Sequence, residues 1–316
     1  MTHLRLGTRG SQLALWQART AAALIERAGG PACEIVVIRT SGDRLAEAPL
    51  SEAGGKRLFV KEIEDALIGG EVDFAVHSCK DMPAVLPEGL VIGAVLPRED
   101  PRDVVVVPES AGRPATLDAL RQAMGPRPRV GTSSVRRIAE LAHLLPEASF
   151  TPIRGNLDTR LRKLGDGLYD ALVLAAAGMR RLGFADRISF AIPVEACVPA
   201  PGQGAIAIEH REGDRATGDA LARIDDGPAA AAIAAERALV ASLGGGCQTP
   251  IGAVAVHDGG DLDLHAVVVS LDGRQVIRGR DRAPRAEAAA LGRRLAGHLL
   301  ARGAGAILED VRRAQA

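Results

Sequence analysis

Apolar segments of strand length alternate twice along this chain with amphipathic segments of helix length. In the first run, the pattern predicts strands near 4–7, 34–39 and 72–76 and helices near 11–28 and 60–68. The second run has strands predicted near 103–107, 128–131, 149–153 and 170–174 and helices near 134–145, 156–164 and 175–182. Because such alternation is typical of parallel sheets covered by helices, we expect two α/β lobes.

Two proline-rich segments interrupt this pattern. Residues 97–103 combine prolines with charged side chains, and residues 198–204 combine prolines with glycines, so that neither favours a regular element. A strand-like stretch, 205–209, follows the second segment. We therefore expect the chain to cross between the lobes twice and to return to the first lobe at 205–215. Two lobes joined by a double hinge, as in periplasmic binding proteins, would enclose a ligand-binding cleft.

The pattern changes after about residue 218. An Ala-rich helix is predicted from Pro228 to about 242, and the glycines at 244–246 end it. Three alternating strands follow near 251–257, 262–270 and 274–280, and a last helix is predicted near 285–302. The expected fold class is α/β, with two periplasmic-binding-protein-like lobes and a small α+β C-terminal domain. The expected domains are 1–97 with 201–216, then 101–197, then 218–316.

Composition restricts the possible functions. Aromatic residues make up only 2% of the chain, so stacking platforms for single-stranded nucleic acid are not expected. Lys plus Arg equals Asp plus Glu at 39 each, so attraction for an acidic ligand must come from local clusters. No apolar run approaches the roughly 18 residues of a membrane span, and no signal-peptide pattern opens the sequence. We therefore expect a cytoplasmic protein without a membrane partner.

The four cysteines are widely scattered. They show no Cys-x-x-Cys pair and no histidine at ligand spacing, which argues against a disulfide framework and a zinc site. Cys247 lies in a glycine-rich loop, where a thiol could approach a ligand closely. Spacing alone leaves open an incidental loop cysteine.

Each lobe contains a similar junction between a strand and a helix. Residues 6–11 (LGTRGS) and 130–134 (VGTSS) place hydroxyl side chains where a helix begins, with Arg9 beside the first and Arg136 and Arg137 beside the second. Backbone N–H groups at a helix start favour anions. Ordinary capping by Ser11 and Ser133 is the alternative.

Further polar side chains follow other predicted strands. Arg154 and Arg160 flank a helix start after a strand, where a planar guanidinium could hold a carboxylate, whereas Arg162, Lys163 and Arg180 are expected to be solvated. Lys80 and Asp81 end the strand 74–78, and a carboxylate there could stabilise a developing cation or relay a proton. The two side chains could instead satisfy each other, and His77 is expected to be structural.

Eight motifs, in this order, resemble the porphobilinogen deaminase family. They are GTRGS at 7–11, GGKRLFVKE at 54–62, HSCKD at 77–81, REDPRD at 98–103, GTSSVRR at 131–137, RGN at 154–156, PGQG at 201–204 and GGCQ at 245–248. Together they cover nearly the whole chain. Family members often carry a lysine four residues before Lys56, where this chain has Glu52, and no cationic role is assigned there.

The resemblance implies a transferase of heme and other tetrapyrrole biosynthesis. In the family, a dipyrromethane cofactor is held by a thioether at the position of Cys247. Four porphobilinogens lose ammonia, join head to tail on this primer and leave by hydrolysis as hydroxymethylbilane. The resemblance also implies a monomer whose product passes to uroporphyrinogen-III synthase.

The resemblance further implies roles for individual residues. Asp81 would be catalytic, stabilising the cationic azafulvene formed when ammonia leaves and contacting cofactor pyrrole N–H groups. The residues implied to hold the cofactor's acidic side chains are Lys80, Thr132, Ser134, Arg136 and Arg137. The residues implied to bind substrate or to shape the cleft are Arg9, Ser11, Arg154, Arg160, Arg181, Gln203, Lys56 and Phe59.

Two other functions fit part of the sequence. A two-lobed binding protein without catalysis would suit the hinge, although Lys80, Asp81 and Cys247 together exceed what anion capture requires. Nucleic-acid binding through the arginine-rich loops is disfavoured by the neutral total charge and the scarce aromatic residues.

Overall fold

The structure is a computed structural model that describes residues 3–44, 59–245 and 249–315. Its strands, in chain order, are β1 (His3–Thr8), β2 (Ala32–Val37), β3 (Phe74–Ser78), β4 (Leu90–Val95), β5 (Asp103–Val106), β6 (Arg129–Gly131), β7 (Ser149–Thr151), β8 (Ala171–Ala175), β9 (Phe190–Ala191), β10 (Ile206–Arg211), β11 (Ile251–Asp258), β12 (Asp261–Val269) and β13 (Val276–Pro284).

The helices cover the faces of the sheets that these strands form. In chain order they are α1 (Gln12–Arg27), α2 (Ser41–Arg44), α3 (Lys61–Ile68), α4 (Leu117–Met124), α5 (Val135–Leu144), α6 (Leu157–Gly165), α7 (Ala176–Arg181), α8 (Arg215–Ala222), α9 (Gly227–Ser242), α10 (Ala288–Ala301) and α11 (Ala304–Gln315). None of these helices is both long and apolar enough to cross a membrane.

The first sheet has the strand order β2-β1-β3-β10-β4. Strands β1, β2 and β3 are parallel, whereas β10 runs antiparallel to both β3 and β4. The three strands predicted in the first run are therefore parallel, as the alternating pattern indicated, whereas the pattern gave no direction for residues 205–209. The chain enters β10 beside the carboxyl end of β3, where Ile206 pairs with Ser78, so β10 must run in the opposite direction.

The second sheet has the order β7-β6-β8-β5-β9 and is also mixed. Strands β6, β7 and β8 are parallel, and β5 is antiparallel to β8 and β9. Apolar residues on both faces of this sheet form two separate clusters, one around Val105, Val130 and Val173 and the other around Val104, Leu172 and Leu174. Helices on both faces explain why these strands read as continuous apolar runs.

The third sheet is an antiparallel meander, β11-β12-β13, packed against α9, α10 and α11. Helices α9 and α10 approach closely because Gly292 lies against the backbone of α9, where an added Cβ would stand 2.1 Å from the Ala235 carbonyl oxygen. The observed sheets and helices confirm the predicted fold class of two α/β lobes and a small α+β domain.

The third sheet and its helices contact both lobes through apolar surfaces. Val254 and Val267 pack with Ala139 of α5, and Ala229 and Ile233 of α9 pack with Cys79 beside β3.

Six elements have no counterpart in the predicted set: β4, β9, α2, α4, α8 and α11. Each is short or lies where an adjacent proline, glycine or charged turn weakens the periodic pattern. The helix α4 nevertheless has an ordinary cap, since the Thr116 hydroxyl accepts a hydrogen bond from the Ala119 N–H at 3.1 Å.

His210 predicts a pH dependence of stability. Burial lowers the pKa of His210 from its ordinary value of 6.5, and its ring packs between Gly93 and Gly218. The unfolded chain therefore binds this proton more readily, so stability present above pH 6.5 is lost as the pH falls below that value. We expect His210→Gln to reduce the loss of unfolding free energy between neutral and mildly acidic pH, measured by urea denaturation. Equal pH dependence in both proteins would contradict this role.

Candidate functional site

A small cavity opens where β1 and β3 end, beside the start of α1. Its volume is about 70 Å³, and four residues predicted from the sequence line it: Arg9, Ser11, Phe59 and Asp81. The carboxyl ends of neighbouring parallel strands therefore bring together motifs that are far apart in the chain.

Ser11 performs the capping role that the sequence left open. Its hydroxyl accepts a hydrogen bond from the Ala14 N–H at 3.3 Å, which fixes the first turn of α1 at the cavity. Gln17, one turn further along, donates to the Ser78 hydroxyl at 2.9 Å. Both Gln17 and Ser78 line the cavity, and the sequence patterns gave no sign of this pair.

Arg9 lies on the same cavity between an acidic and an aromatic partner. Its Nε donates to Asp43 Oδ1 at 3.1 Å, and its guanidinium carbon lies 4.3 Å from the centre of the Phe59 ring. The side chain is about one quarter exposed, with 23% of its surface accessible. Arg9 is therefore held in one orientation at the cavity wall.

Lys80 and Asp81 leave β3 in a single 3-10 turn, Cys79–Asp81. Lys80 Nζ lies 3.3 Å from Gln203 Oε1, so its nearest hydrogen-bond acceptor belongs to the second crossing segment. Burial and then the charge of Arg137 lower the pKa of Lys80 to about 8. His77, at the base of the turn, is buried against Glu209 at 3.1 Å, as expected of a structural residue.

Asp103 forms the centre of a buried hydrogen-bond network between the lobes. The carboxylate is fully buried and accepts from Arg136 Nη2 at 2.7 Å and from Arg137 Nη2 at 2.7 Å. Gln203 Nε2 donates to the same carboxylate at 2.9 Å. Burial opposes ionisation, but the two guanidinium groups outweigh it and hold the pKa of Asp103 well below its usual range.

Arg136 is turned toward protein acceptors. Its Nη1 also donates to Glu140 at 3.1 Å and to the Val198 carbonyl at 2.7 Å, and only 4% of the residue is exposed. Burial acts against its charge, yet the neighbouring carboxylates raise the pKa of Arg136 further. Arg137 differs because it lies closer to Lys80 and to the loop of Arg160, whose pKa values its charge lowers. The cofactor roles expected of both arginines stay predictions.

The glycines of the PGQG motif permit the close approach of this segment to the turn after β3 and to the first crossing segment. Gly202 has φ +75°, and an added Cβ there would stand 3.0 Å from the Lys80 nitrogen. Gly204 has φ +87°, and its Cβ would stand 2.3 Å from the Glu99 carbonyl oxygen. Only glycine fits either position without displacing backbone. Gln203 is thereby fixed between Lys80 and Asp103.

The hydroxyl groups of Thr132 and Ser134 stabilise the turn that leads into α5. Thr132 is 1% exposed, and its Oγ1 accepts from the Ser134 N–H at 3.2 Å. Ser134 caps α5 by accepting from the Arg137 N–H at 3.4 Å. Ser133, which the sequence offered as an alternative cap, does not cap α5; its hydroxyl donates to the Ile153 carbonyl at 2.9 Å.

Cations predominate at the second lobe's face of the cleft. Burial, followed by the charges of Arg137 and Arg154, lowers the pKa of Arg160. Arg160 Nε donates to the Gly155 carbonyl at 2.9 Å, which orients the guanidinium across its own loop. The charge of Arg137 adds to burial in lowering the pKa values of both Arg160 and Lys80, so three cations lie close enough to influence one another, which suits a ligand that carries carboxylates.

Arg181 connects the second lobe to the first. Its Nη2 donates to the Gly204 carbonyl at 2.6 Å, and its guanidinium carbon lies 5.7 Å from the Trp16 ring of α1. Burial lowers the pKa of Arg181 to about 10. Arg180 instead pairs with Asp100 at the surface, at 3.3 Å, in agreement with its expected solvated role.

Cys247, Lys56 and Glu52 lie outside the described residues. The three other cysteines, Cys33, Cys79 and Cys197, are free thiols. Burial raises the pKa of Cys79 to about 11. Within residues 3–44, 59–245 and 249–315, no group of His, Cys, Asp and Glu could hold a metal ion.

Sequence reasoning missed three acidic residues on which the arginines depend: Asp43, Asp103 and Glu140. Asp103 lies at the start of a buried apolar strand, and Glu140 stands four residues after Arg136 on a helix. Both placements are signals of a buried ion pair, because an acid among apolar residues needs a cation. No local pattern links Asp43 to Arg9.

Two family models match the chain in sequence. The first, described as "Porphobilinogen deaminase, dipyromethane cofactor binding domain", matches residues 4–219. The second, described as "Porphobilinogen deaminase, C-terminal domain", matches residues 230–301.

Two solved structures are similar to part of the chain. The periplasmic VFT2 domain of BvgS from Bordetella pertussis has a TM-score of 0.42 at 17% identity, covering 71% of this chain and 86% of that chain. An ancestral cationic amino acid solute-binding protein, AncCDT-1, has a TM-score of 0.41 at 15% identity, covering 70% of this chain and 88% of that chain.

Curated relatives are similar over nearly their whole length. A porphobilinogen deaminase from Moorella thermoacetica is 48% identical over 313 residues, covering 99% of this chain and 97% of the relative. A porphobilinogen deaminase from Trichlorobacter lovleyi is 47% identical over 309 residues, covering 98% of this chain and 96% of the relative. With both family models also matched, the resemblance predicted from the motifs is confirmed: the chain belongs to the porphobilinogen deaminase family and contains the family's dipyrromethane cofactor-binding domain.

Proposed function

We propose that this chain is a transferase that condenses four porphobilinogen molecules and releases hydroxymethylbilane in tetrapyrrole biosynthesis, the route to heme. The observation that carries this proposal is the cation-rich cleft around Lys80, Arg137 and Arg160, next to the carboxylate of Asp81. Each porphobilinogen carries an acetate and a propionate, so a growing chain accumulates negative charge that local cations must balance.

The described residues fit a dipyrromethane cofactor. Burial first, and then the charge of Arg137, lowers the pKa values of Lys80 and Arg160, so an added group with several carboxylates would supply partners for cations held away from water. When bound, the cofactor supplies the terminal pyrrole carbon to which the first substrate is joined. We propose that Cys247 holds it through a thioether, and that the residues oriented toward its acidic side chains are Lys80, Thr132, Ser134, Arg136 and Arg137.

The structure suggests different tasks for the proposed cofactor-binding residues. Lys80 and Arg137 lie where their charges influence each other, which favours direct contact with carboxylates. Arg136, Thr132 and Ser134 already bond to protein atoms, so their contribution would be to hold the loop and helix in place.

Asp81 is the proposed catalytic residue. It lines the cavity with Arg9 and Ser11, at the end of a strand whose position is fixed on both sides. A carboxylate there stabilises the positive charge that develops on a pyrrole as the carbon–nitrogen bond breaks and ammonia leaves. It also accepts hydrogen bonds from pyrrole N–H groups, which aligns the rings.

The remaining cleft residues are proposed to bind substrate and the growing chain: Arg9, Ser11, Lys56, Phe59, Arg154, Arg160, Arg181 and Gln203. Arg9 and Arg181 lie on opposite lobes, so carboxylates between them would be held from two sides.

We further propose the domain boundaries 1–97 with 201–216, 101–197, and 218–316. Residues 206–211 support the first of these because they form the strand between β3 and β4. The family supports a cytoplasmic monomer whose product passes to uroporphyrinogen-III synthase.

Asp81→Asn tests the catalytic proposal. We expect a folded protein that retains its cofactor but turns over at least about 100-fold more slowly, because the amide lacks the charge that stabilises the developing cation. Product formation is followed by absorbance after oxidation. Asp65→Asn, which removes an exposed carboxylate paired with Lys61, is the matched control and should leave turnover unchanged. Near-normal turnover of Asp81→Asn would exclude the central role of Asp81.

Cys247→Ser tests the attachment point. We expect the variant to fold and to lack the covalent two-pyrrole mass increment that intact-protein mass spectrometry should find on the unsubstituted protein. Cys79→Ser is the control and should retain the increment, because that thiol is buried. An increment that persists in Cys247→Ser would place the attachment elsewhere, and its absence from the unsubstituted protein would favour a binding protein without catalysis.

Arg136→Leu tests whether the buried network supports cofactor assembly. Removing one cation leaves Asp103 and Glu140 buried with fewer partners, so the unfolding free energy should fall by about 3 kcal/mol. The fraction of protein carrying the two-pyrrole increment should also fall, as measured by intact mass on the folded fraction. Unaltered loading together with unaltered turnover would count against the assignment of Arg136.

A further inference from the structure

Within residues 3–44, 59–245 and 249–315, the guanidinium of Arg9 forms hydrogen bonds through one of its two edges. Nε and Nη2, which form the side-on edge, both donate to Asp43 Oδ1, the Nε bond measuring 3.1 Å. Among the described residues, no hydrogen bond to Nη1 is observed, although Arg9 lines the cavity. A planar guanidinium can bind one carboxylate through each edge, so the Nη1 and Nη2 edge remains for a second acid.

Hydrogen bonds from Thr40 fix the position of the Asp43 carboxylate independently of Arg9. Its Oδ2 accepts from the Thr40 hydroxyl at 2.8 Å and from the Thr40 N–H at 3.2 Å. Burial opposes its ionisation, but the hydrogen bond and the charge of Arg9 outweigh burial and lower the pKa of Asp43. The carboxylate is therefore charged and oriented at neutral pH.

The short helix that carries Asp43 is attached to the lobe at a second point. The Ser41 N–H donates to Glu62 Oε1 of α3 at 2.7 Å. On its flat face, Arg9 contacts the Phe59 ring at 4.3 Å. Asp43 thus restricts the guanidinium within its plane, and Phe59 restricts rotation out of that plane.

We propose that Asp43 is a positioning residue that fixes the side-on edge of Arg9, so that the other edge of the guanidinium receives a carboxylate of porphobilinogen. This inference rests on the proposed function and names the residue that prepares Arg9 for it. A guanidinium oriented in advance loses less side-chain entropy on binding than a free one, so the substrate binds more tightly.

A competing arrangement would give the opposite result. If Asp43 occupied Arg9 in place of the substrate, removing its charge would release the guanidinium and strengthen substrate binding. Two observations favour positioning over competition: Asp43 leaves Nη1 without a bond, and Thr40 holds Asp43 independently of Arg9.

The test compares Asp43→Asn with Asp73→Asn. Asp73 accepts hydrogen bonds from Arg5, a residue of β1 that does not line the cavity. The bonds use the corresponding edge of the Arg5 guanidinium, with Nε 3.3 Å from Asp73 Oδ2 and Nη2 2.7 Å from Asp73 Oδ1. We expect Asp43→Asn to raise KM for porphobilinogen about ten-fold with kcat changed less than about two-fold, and Asp73→Asn to change neither. Intact mass after mixing with limiting substrate should show fewer enzyme molecules with added pyrroles for Asp43→Asn only.

A double substitution shows whether Asp43 acts through Arg9. Arg9→Lys has no second edge to orient, so adding Asp43→Asn to it should raise KM by less than about two-fold further. Multiplicative effects of the two substitutions would overturn the inference, as would a lowered or unchanged KM in Asp43→Asn alone. Asp43→Glu should recover part of the lost affinity.

Thr40→Val covers the case in which Asp43→Asn does not fold. The substitution removes the hydroxyl donor to Asp43 in a fully buried position of similar shape, and a smaller rise in KM is expected. An unchanged KM in folded Thr40→Val would then contradict the proposal. If the unsubstituted protein formed product and Asp43→Asn had the same KM as Asp73→Asn, the inference would fail while the proposed function stood. If the unsubstituted protein formed no product, the proposed function itself would fail.

Discussion

The carboxylate of Asp103 is the interaction on which the rest of the cleft depends. Moving an ion of this kind out of water costs several kcal/mol, and only well-placed partners offset that cost. Arg136, Arg137 and Gln203 supply those partners from a helix of the second lobe and from the crossing segment. The junction between the lobes is thus fixed by charge-assisted hydrogen bonds, whose directionality apolar packing lacks.

This network divides the basic residues into two groups. Arg136, Arg102 and Arg98 are paired with Asp103, Asp100 and Glu236, and their charges are neutralised within the protein. Lys80 and Arg160 form no ion pair among the described residues, and burial, followed by the charge of Arg137, lowers their pKa values. A chain with no net charge can therefore present basic side chains in its cleft, because many of its carboxylates form ion pairs with arginines elsewhere.

Much of the fold followed from sequence periodicity. Periodicity predicted the strands of both lobes other than β4 and β9 near their observed positions, together with the helix before the glycines at 244–246 and the three strands of the last sheet. The direction of β10 was not predicted, because periodicity indicates which face of a segment is buried and carries no information on the direction in which the strand runs. Similarly, Arg9, Ser11, Phe59 and Asp81 were predicted as site residues, but their common cavity follows from strands β1 and β3 being neighbours.

The sequence by itself determined the family, the order of its motifs and the residue types available for binding carboxylates, since these depend only on local identity. The tertiary structure alone decided which of those residues contact each other. Asp43 and Arg9 are 34 residues apart, and Asp103 and Gln203 are 100 apart. Pairing at such separations is set by how the sheets and crossings fold, because a side chain's partner is chosen by distance in space and no local pattern encodes that distance.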